Sequence, residues 1–188
     1  FFDGRGKNST DKKMAEPRPD EWLLSVFAAG LAEVLELKEV PCIQERHGRD
    51  LFSDTDLTRT VGWFTQTEFF LLRPERNMPL SRRLLNLTEQ LRGCGGGQKS
   101  DERPLLSVNY LGECPQDNEI FRLVEIVFDD DVGAENTFPC LCDVVAYILR
   151  GRLHAAVTLD SRISVRKRSA LLDFVTAAMK NIPGLRQS

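Results

Sequence analysis

The sequence predicts an α/β fold, a two-layer sandwich of helices packed on a sheet. Three observations predict it. Apolar residues are 41% of 188, enough to fill a core. Helical periodicity occurs at the start, the middle and the end of the chain. Between those helices lie short apolar runs of strand length, and this alternation of types is the pattern of a layered α/β or α+β domain.

Residues 1–19 are polar and rich in Gly, Lys, Asp and Pro, and read as a linker or disordered end. A first helix follows, with Asp20 as its cap and Leu24, Phe27, Ala28, Leu31 and Leu35 on one face. Val40 to Gln44 reads as a buried strand, His47 to Asp56 as a loop, and Thr60 to Thr65 as extended. Leu80 to Leu91 forms a second helix, with Leu84, Leu87 and Leu91 on one stripe. Gly93-Cys94-Gly95-Gly96-Gly97 ends it. Strand character returns in Leu105–Tyr110, Phe121–Phe128, Cys140–Leu149 and Leu153–Leu159, with Gly151 set for a hairpin between the last two. In the final helix Leu171, Phe174, Val175, Ala178, Met179 and Ile182 recur at helical spacing, and Pro183-Gly184 stops it. The folded unit spans 20–182, and 183–188 is a tail.

Net charge is −3, with no dominant basic patch, which argues against nucleic acid as a partner. No apolar run is long enough to span a bilayer, so a membrane role is not expected. The five Cys residues are an odd number in a domain that has its own core. That points to reduced thiols and a cytoplasmic setting. Cys140 and Cys142 share one face of a strand, but no His cluster or second Cys pair supports a metal, and they read as buried free thiols. Cys42 with His47 is a weak nucleophile–base pairing on spacing alone. The glycine run lacks the Lys-Ser/Thr of a phosphate loop. Asp129-Asp130-Asp131 lacks EF-hand spacing and reads as a solvated turn.

Two segments carry chemistry. One is Glu45-Arg46-His47-Gly48-Arg49-Asp50, leading into Asp56-Leu57-Thr58-Arg59-Thr60-Val61-Gly62-Trp63-Phe64-Thr65. The other is Asn109-Tyr110-Leu111-Gly112. They resemble, in order and wording, the Glu-Gly-His-Gly-Arg-Glu, Asp-x-Ser-Arg-Thr-Val-Gly-Trp-Phe-Thr and Phe-Asn-Tyr-Leu-Gly motifs of nonribosomal peptide synthetase epimerization domains. The resemblance runs from about residue 20 to about 182. It implies a chloramphenicol-acetyltransferase-like half-domain, the C-terminal lobe of a condensation/epimerization domain. It also implies a substrate: an aminoacyl or peptidyl thioester on the phosphopantetheine of a peptidyl carrier protein. The α-proton is removed and returned on the other face. No cofactor is bound directly and no metal is used.

That chemistry needs a positioned base for a weakly acidic carbon and donors aimed at the developing enolate oxygen. By resemblance Glu45 is the catalytic carboxylate, and Tyr110 orients substrate or relays a proton. Asn109 borders the substrate tunnel, Arg49 positions Glu45 or its loop, and Trp63 lines the tunnel. The plainer alternatives are a loop acid paired with Arg46 or Arg49 for Glu45, core packing for Trp63 and Phe64, and a structural His47. Asp56 and Arg59 read as a loop-fixing pair. Arg166-Lys167-Arg168 opens the last helix as a solvated end.

The sequence also departs from the family. Its second signature, His-His-x-x-x-Asp-Gly of the N-terminal lobe, is absent: the only histidines are His47 and His154. A complete site therefore needs a complementary N-terminal lobe, and the chain alone is expected to be inactive. Arg46 replaces a glycine and would depress the pKa of Glu45 if it pointed inward. Val108, Asp50 and Thr58 replace Phe, Glu and Ser. Two other readings stay open. One is a non-catalytic module docking a carrier protein or partner, with self-association through an apolar face. The other is a condensation lobe that forms an amide.

Overall fold

The structure, a computed structural model, describes residues 16–51, 54–57, 59–93, 103–114 and 139–182. Their elements run α1 (Pro19–Leu35), β1 (Val40–His47), a 3-10 turn (Gly48–Leu51), β2 (Thr65–Leu72), α2 (Leu80–Gly93), β3 (Leu106–Glu113), β4 (Cys142–Leu149), β5 (Arg152–Leu159) and α3 (Val165–Met179). The strands form one sheet in the order β2-β1-β3-β4-β5. β1, β3 and β4 are parallel, and β2 and β5 flank them antiparallel. This is the expected two-layer α/β sandwich.

Helix α1 organises the core. Pro19 stands at its first position, where a missing N–H costs nothing. Glu21 accepts the backbone N–H of Arg18 at 2.8 Å, the carboxylate half of a capping box. The cap is therefore Arg18 and not Asp20 as the sequence suggested. Asp20 lies inside the first turn, where its carboxylate accepts a bond from Gln44 Nε2 at 2.8 Å and ties the helix to β1. From Glu21 to Ala32 every residue is buried. Such a helix is held by packing on all sides and not by one amphipathic stripe. Leu23, Leu24, Phe27 and Leu31 are fully enclosed, each worth about 1.5–3 kcal/mol of burial. α2 and α3 pack against α1.

The even-numbered residues of β1, β3 and β4 face these helices: Val40, Cys42 and Gln44; Leu106 and Val108; Cys142, Val144 and Ala146, all buried. The odd-numbered ones face away, because successive side chains alternate across a sheet. No described helix covers that second face. The predicted hairpin is present: Arg150 (φ 52°) and Gly151 (φ 73°) form a two-residue turn of the left-handed kind that suits strand twist.

The structure revises three boundaries. β1 continues through Glu45, Arg46 and His47, because β2 pairs with it as far as His47–Thr65. The stretch before Thr65 is loop, and the strand begins where extension was expected to end. α3 stops at Met179, although Ile182 still enters the core. Residues 1–15, the Gly-rich run at 94–97, Phe121–Phe128, Asp129–Asp131, Pro183-Gly184 and the 183–188 tail lie outside the described residues. Among the described residues, no helix is long and apolar enough to cross a membrane.

Candidate active site

Parallel pairing of β1 with β3 sets Glu45 beside Asn109. Both are odd-numbered and point away from the helices. Asn109 Nδ2 donates to Glu45 Oε2 at 2.9 Å. Both side chains are half-buried. The amide fixes the carboxylate's orientation through one oxygen, and among the described residues the other accepts no side-chain bond. That is what a positioned general base requires.

The residues after Glu45 build a loop beside it. His47 ends β1 in solvent. Gly48 then donates its backbone N–H to the Phe64 carbonyl at 2.8 Å. A Cβ on Gly48 would collide with that oxygen, so glycine is required by space. Arg49 Nε reaches the Leu57 carbonyl at 3.3 Å and Nη2 the Thr60 carbonyl at 3.0 Å. Its guanidinium also lies 4.5 Å from the Phe64 ring centre. Arg49 thus positions the loop, and its donors are directed at the loop carbonyls. The loop presents Val61 and Trp63 to solvent, 100% and 89% exposed. Trp63 is not packed in the core.

Two other residues read from the sequence lie on the helix side. Arg46 pairs with Glu68 at 2.9 Å and approaches Asp20 at 3.9 Å. Its charge is spent there, on the face opposite Glu45. Tyr110 follows Asn109 in β3 and so faces the other way, packed against the core. Burial, and then the charge of Asp20, push its hydroxyl above the ordinary range. The structure therefore joins Glu45 with Asn109 and separates Tyr110 from both.

Residues the motifs did not flag share the face of Glu45. Asp143 pairs in register with Ser107. Burial raises its carboxyl, and the hydrogen bond from Ser107 only partly opposes that. Tyr147 stacks on His154 with ring centres 5.1 Å apart and 5° between planes. The signal was available: β4 alternates Cys142, Val144 and Ala146 on the helix face with Asp143, Val145 and Tyr147 on the other, a period of two. Cys42, Cys140 and Cys142 are buried and unpaired. Burial, then the charge of Asp143, lifts Cys140 to about 11, and Cys42 and Cys142 are also raised. Cys42 faces the helices, away from His47. Among the described residues no group of three metal-ligating side chains converges.

No family model matches the chain. In sequence it is 31% identical over 159 residues to bacitracin synthase 2 of Bacillus licheniformis, across 75% of this chain and 6% of that protein. It is 27% identical over 188 residues to nonribosomal peptide synthetase 5 of Gibberella zeae, across 87% of this chain and 2% of that protein. The chain thus spans a small fraction of the curated relatives it matches. In fold it is similar to the epimerization domain from the third module of tyrocidine synthetase B, with a TM-score of 0.70 and 22% identity, over 86% of this chain and 41% of that one. It is also similar to a condensation domain from the enacyloxin polyketide synthase, with a TM-score of 0.60 and 14% identity, over 89% of this chain and 36% of that one.

Proposed function

We propose, for a chain that is a condensation/epimerization-domain-like lobe of the nonribosomal peptide synthetase kind, that Glu45 is the acid–base carboxylate of an epimerizing site. The site inverts the α-carbon of an aminoacyl or peptidyl thioester carried on a carrier protein's phosphopantetheine. One observation carries this reading: the Asn109–Glu45 hydrogen bond on the sheet face that no described helix covers. Asn109 holds the carboxylate, and an N-terminal lobe closes over the face and supplies the second proton donor. Arg49 acts through the loop, and Trp63 stands where the loop meets an incoming arm. Tyr110 has no direct part, because its side chain faces the helices. The 188 residues lack the His-His-x-x-x-Asp-Gly segment, so the chain alone is inactive.

The test is hydrogen exchange at the α-carbon. A carrier protein loaded with an aminoacyl thioester is incubated in heavy water with this chain, with and without an N-terminal lobe, and the mass shift is read. Exchange is expected only with the lobe, and Glu45→Gln is expected to abolish it. Exchange by the chain alone would overturn the requirement for a second lobe. If an added acceptor amine is acylated and no exchange occurs, the lobe is of the condensation type. If neither reaction occurs, it is a docking module.

A further inference from the structure

Among the described residues the sheet ends at β2 and β5, and these two edges are finished differently. Edge β2 carries Glu68, is followed by Pro74, and has α2 beside its helix face. Charge and nearby proline are common ways of blunting an edge. Edge β5 has neither a proline nor a charge in its interior. Its sequence, Arg152-Leu153-His154-Ala155-Ala156-Val157-Thr158-Leu159, contains no proline, no acid and one cation at its end. It pairs with β4 without a bulge along its full length. His154, Ala155 and Thr158 are exposed. The helix layer also stops short of it. An open groove of about 600 Å³ runs between β5 and α3, lined by Leu153, Ala155 and Val157 on one side and Leu172, Val175 and Met179 on the other.

We infer that β5 is a self-association edge, on which a second copy of this chain adds its own β5 antiparallel and extends the sheet across a two-fold axis. The occupant is a second copy because the strand complements itself. With the axis perpendicular to the sheet at Ala156, residues pair when their numbers sum to 312, and paired residues lie on the same face. On the helix face Leu153 meets the partner's Leu159, and Ala155 meets the partner's Val157. These contacts bring the two grooves together and enclose their apolar walls. On the other face His154 meets the partner's Thr158, and Arg152 meets the partner's Asp160, a pairing of opposite charges. Asp160 already accepts from Arg162 at 2.7 and 3.0 Å, so Arg152 joins an existing ion pair. Its contribution is to register more than to strength. The edge is separate from Glu45 and needs nothing from the proposed chemistry.

The test is sedimentation equilibrium of the full chain across a concentration series. A monomer–dimer equilibrium is expected. Ala156→Asp sets two carboxylates against each other across the axis and is expected to weaken association at least tenfold, with unchanged circular dichroism. Arg152→Glu, at the exposed hairpin end where folding is little at risk, is expected to weaken it as well. Thr65→Asp on the opposite edge is expected to leave it unchanged. A strict monomer at the highest concentration overturns the inference. So does a dimer insensitive to both β5 variants, or one that Thr65→Asp dissociates.

Discussion

Strand β1 carries two surfaces on eight residues. Val40, Cys42, Gln44 and Arg46 turn toward the helices, and Pro41, Ile43, Glu45 and His47 turn away. The first set is closed by the chain itself. Its apolar members disappear under α1, and its polar members find partners at once, Gln44 and Arg46 on Asp20 and Arg46 also on Glu68. The second set includes a carboxylate held by an amide, with open capacity for more. A buried polar group left unpaired is costly, so most find partners, although Trp22 Nε1 and Ser25 Oγ of α1 have no hydrogen-bond partner among the described residues. Among the described residues the Glu45 carboxylate accepts one side-chain bond and keeps capacity for more, which the proposed function assigns to the substrate.

If that division is right, damage to the helix side lowers stability and damage to the other side does not. The largest effect is expected from Phe27→Ala, which empties a fully buried position in α1. A cost of about 3–5 kcal/mol is expected from urea unfolding. A cost under about 1 kcal/mol would mean that α1 is not the centre of the core.

Next comes the clamp between α1 and α2. Glu21 is buried and accepts from Arg92 Nη2 at 2.7 Å and Nε at 3.1 Å. Burial alone would raise the Glu21 carboxyl. The bonds from Arg92 and the Arg18 backbone outweigh it and hold the group below its ordinary value of 4.5. A carboxylate with a lowered folded pKa stabilises the protein above the unfolded value and loses that contribution as pH falls through the folded one. Arg92→Ala is therefore expected to cost roughly 1–3 kcal/mol at pH 7, discounted because the Arg92 side chain is partly exposed. The gap between wild type and variant is expected to narrow as pH drops below 4.5. Urea midpoints at about pH 7 and about pH 3 check it, and an equal gap at both would remove Glu21 from the account.

The loop tests the border between the two surfaces. Gly48→Ala forces a Cβ against the Phe64 carbonyl and is expected to cost about 1–3 kcal/mol. Under the proposed function it also lowers exchange activity more than stability explains, since the loop begins three residues after Glu45. Equal losses in both would make the loop purely structural.

How much of this was legible in the sequence depends on the range of each contact. α3 was readable because its spacing is local. β1 was read three residues short because Glu45, Arg46 and His47 are polar on both faces, and only pairing with β2 makes them a strand. The resemblance supplied Glu45 and Asn109 separately. Their hydrogen bond depends on the parallel register of strands 64 positions apart, which no local pattern encodes. Tyr110 shows the converse. Strand alternation alone separates it from Asn109, and that argument was available once both were assigned to one strand. Arg49 was read toward Glu45 or its loop, and its donors reach the Leu57 and Thr60 carbonyls, which come near only when the loop folds back.

Trp63 gives the smallest expected change in stability and the sharpest contrast. A tryptophan at 89% exposure buries little of its own surface, so Trp63→Ala is expected to shift unfolding by no more than about 0.5 kcal/mol. The loop beneath it is nevertheless held in place, by the Gly48–Phe64 backbone bond and by Arg49 stacked on Phe64. A fixed support under an exposed indole favours binding, because the backbone that carries it is already ordered and loses little entropy on contact. With the complementary lobe present, Trp63→Ala is expected to weaken capture of a loaded carrier protein several-fold, read by titration, with unfolding unchanged. Unchanged capture would return Trp63 to the ordinary surface. A stability loss above about 1 kcal/mol would mean that the indole packs against the fold after all, and the line between the two surfaces would move to the far side of the loop.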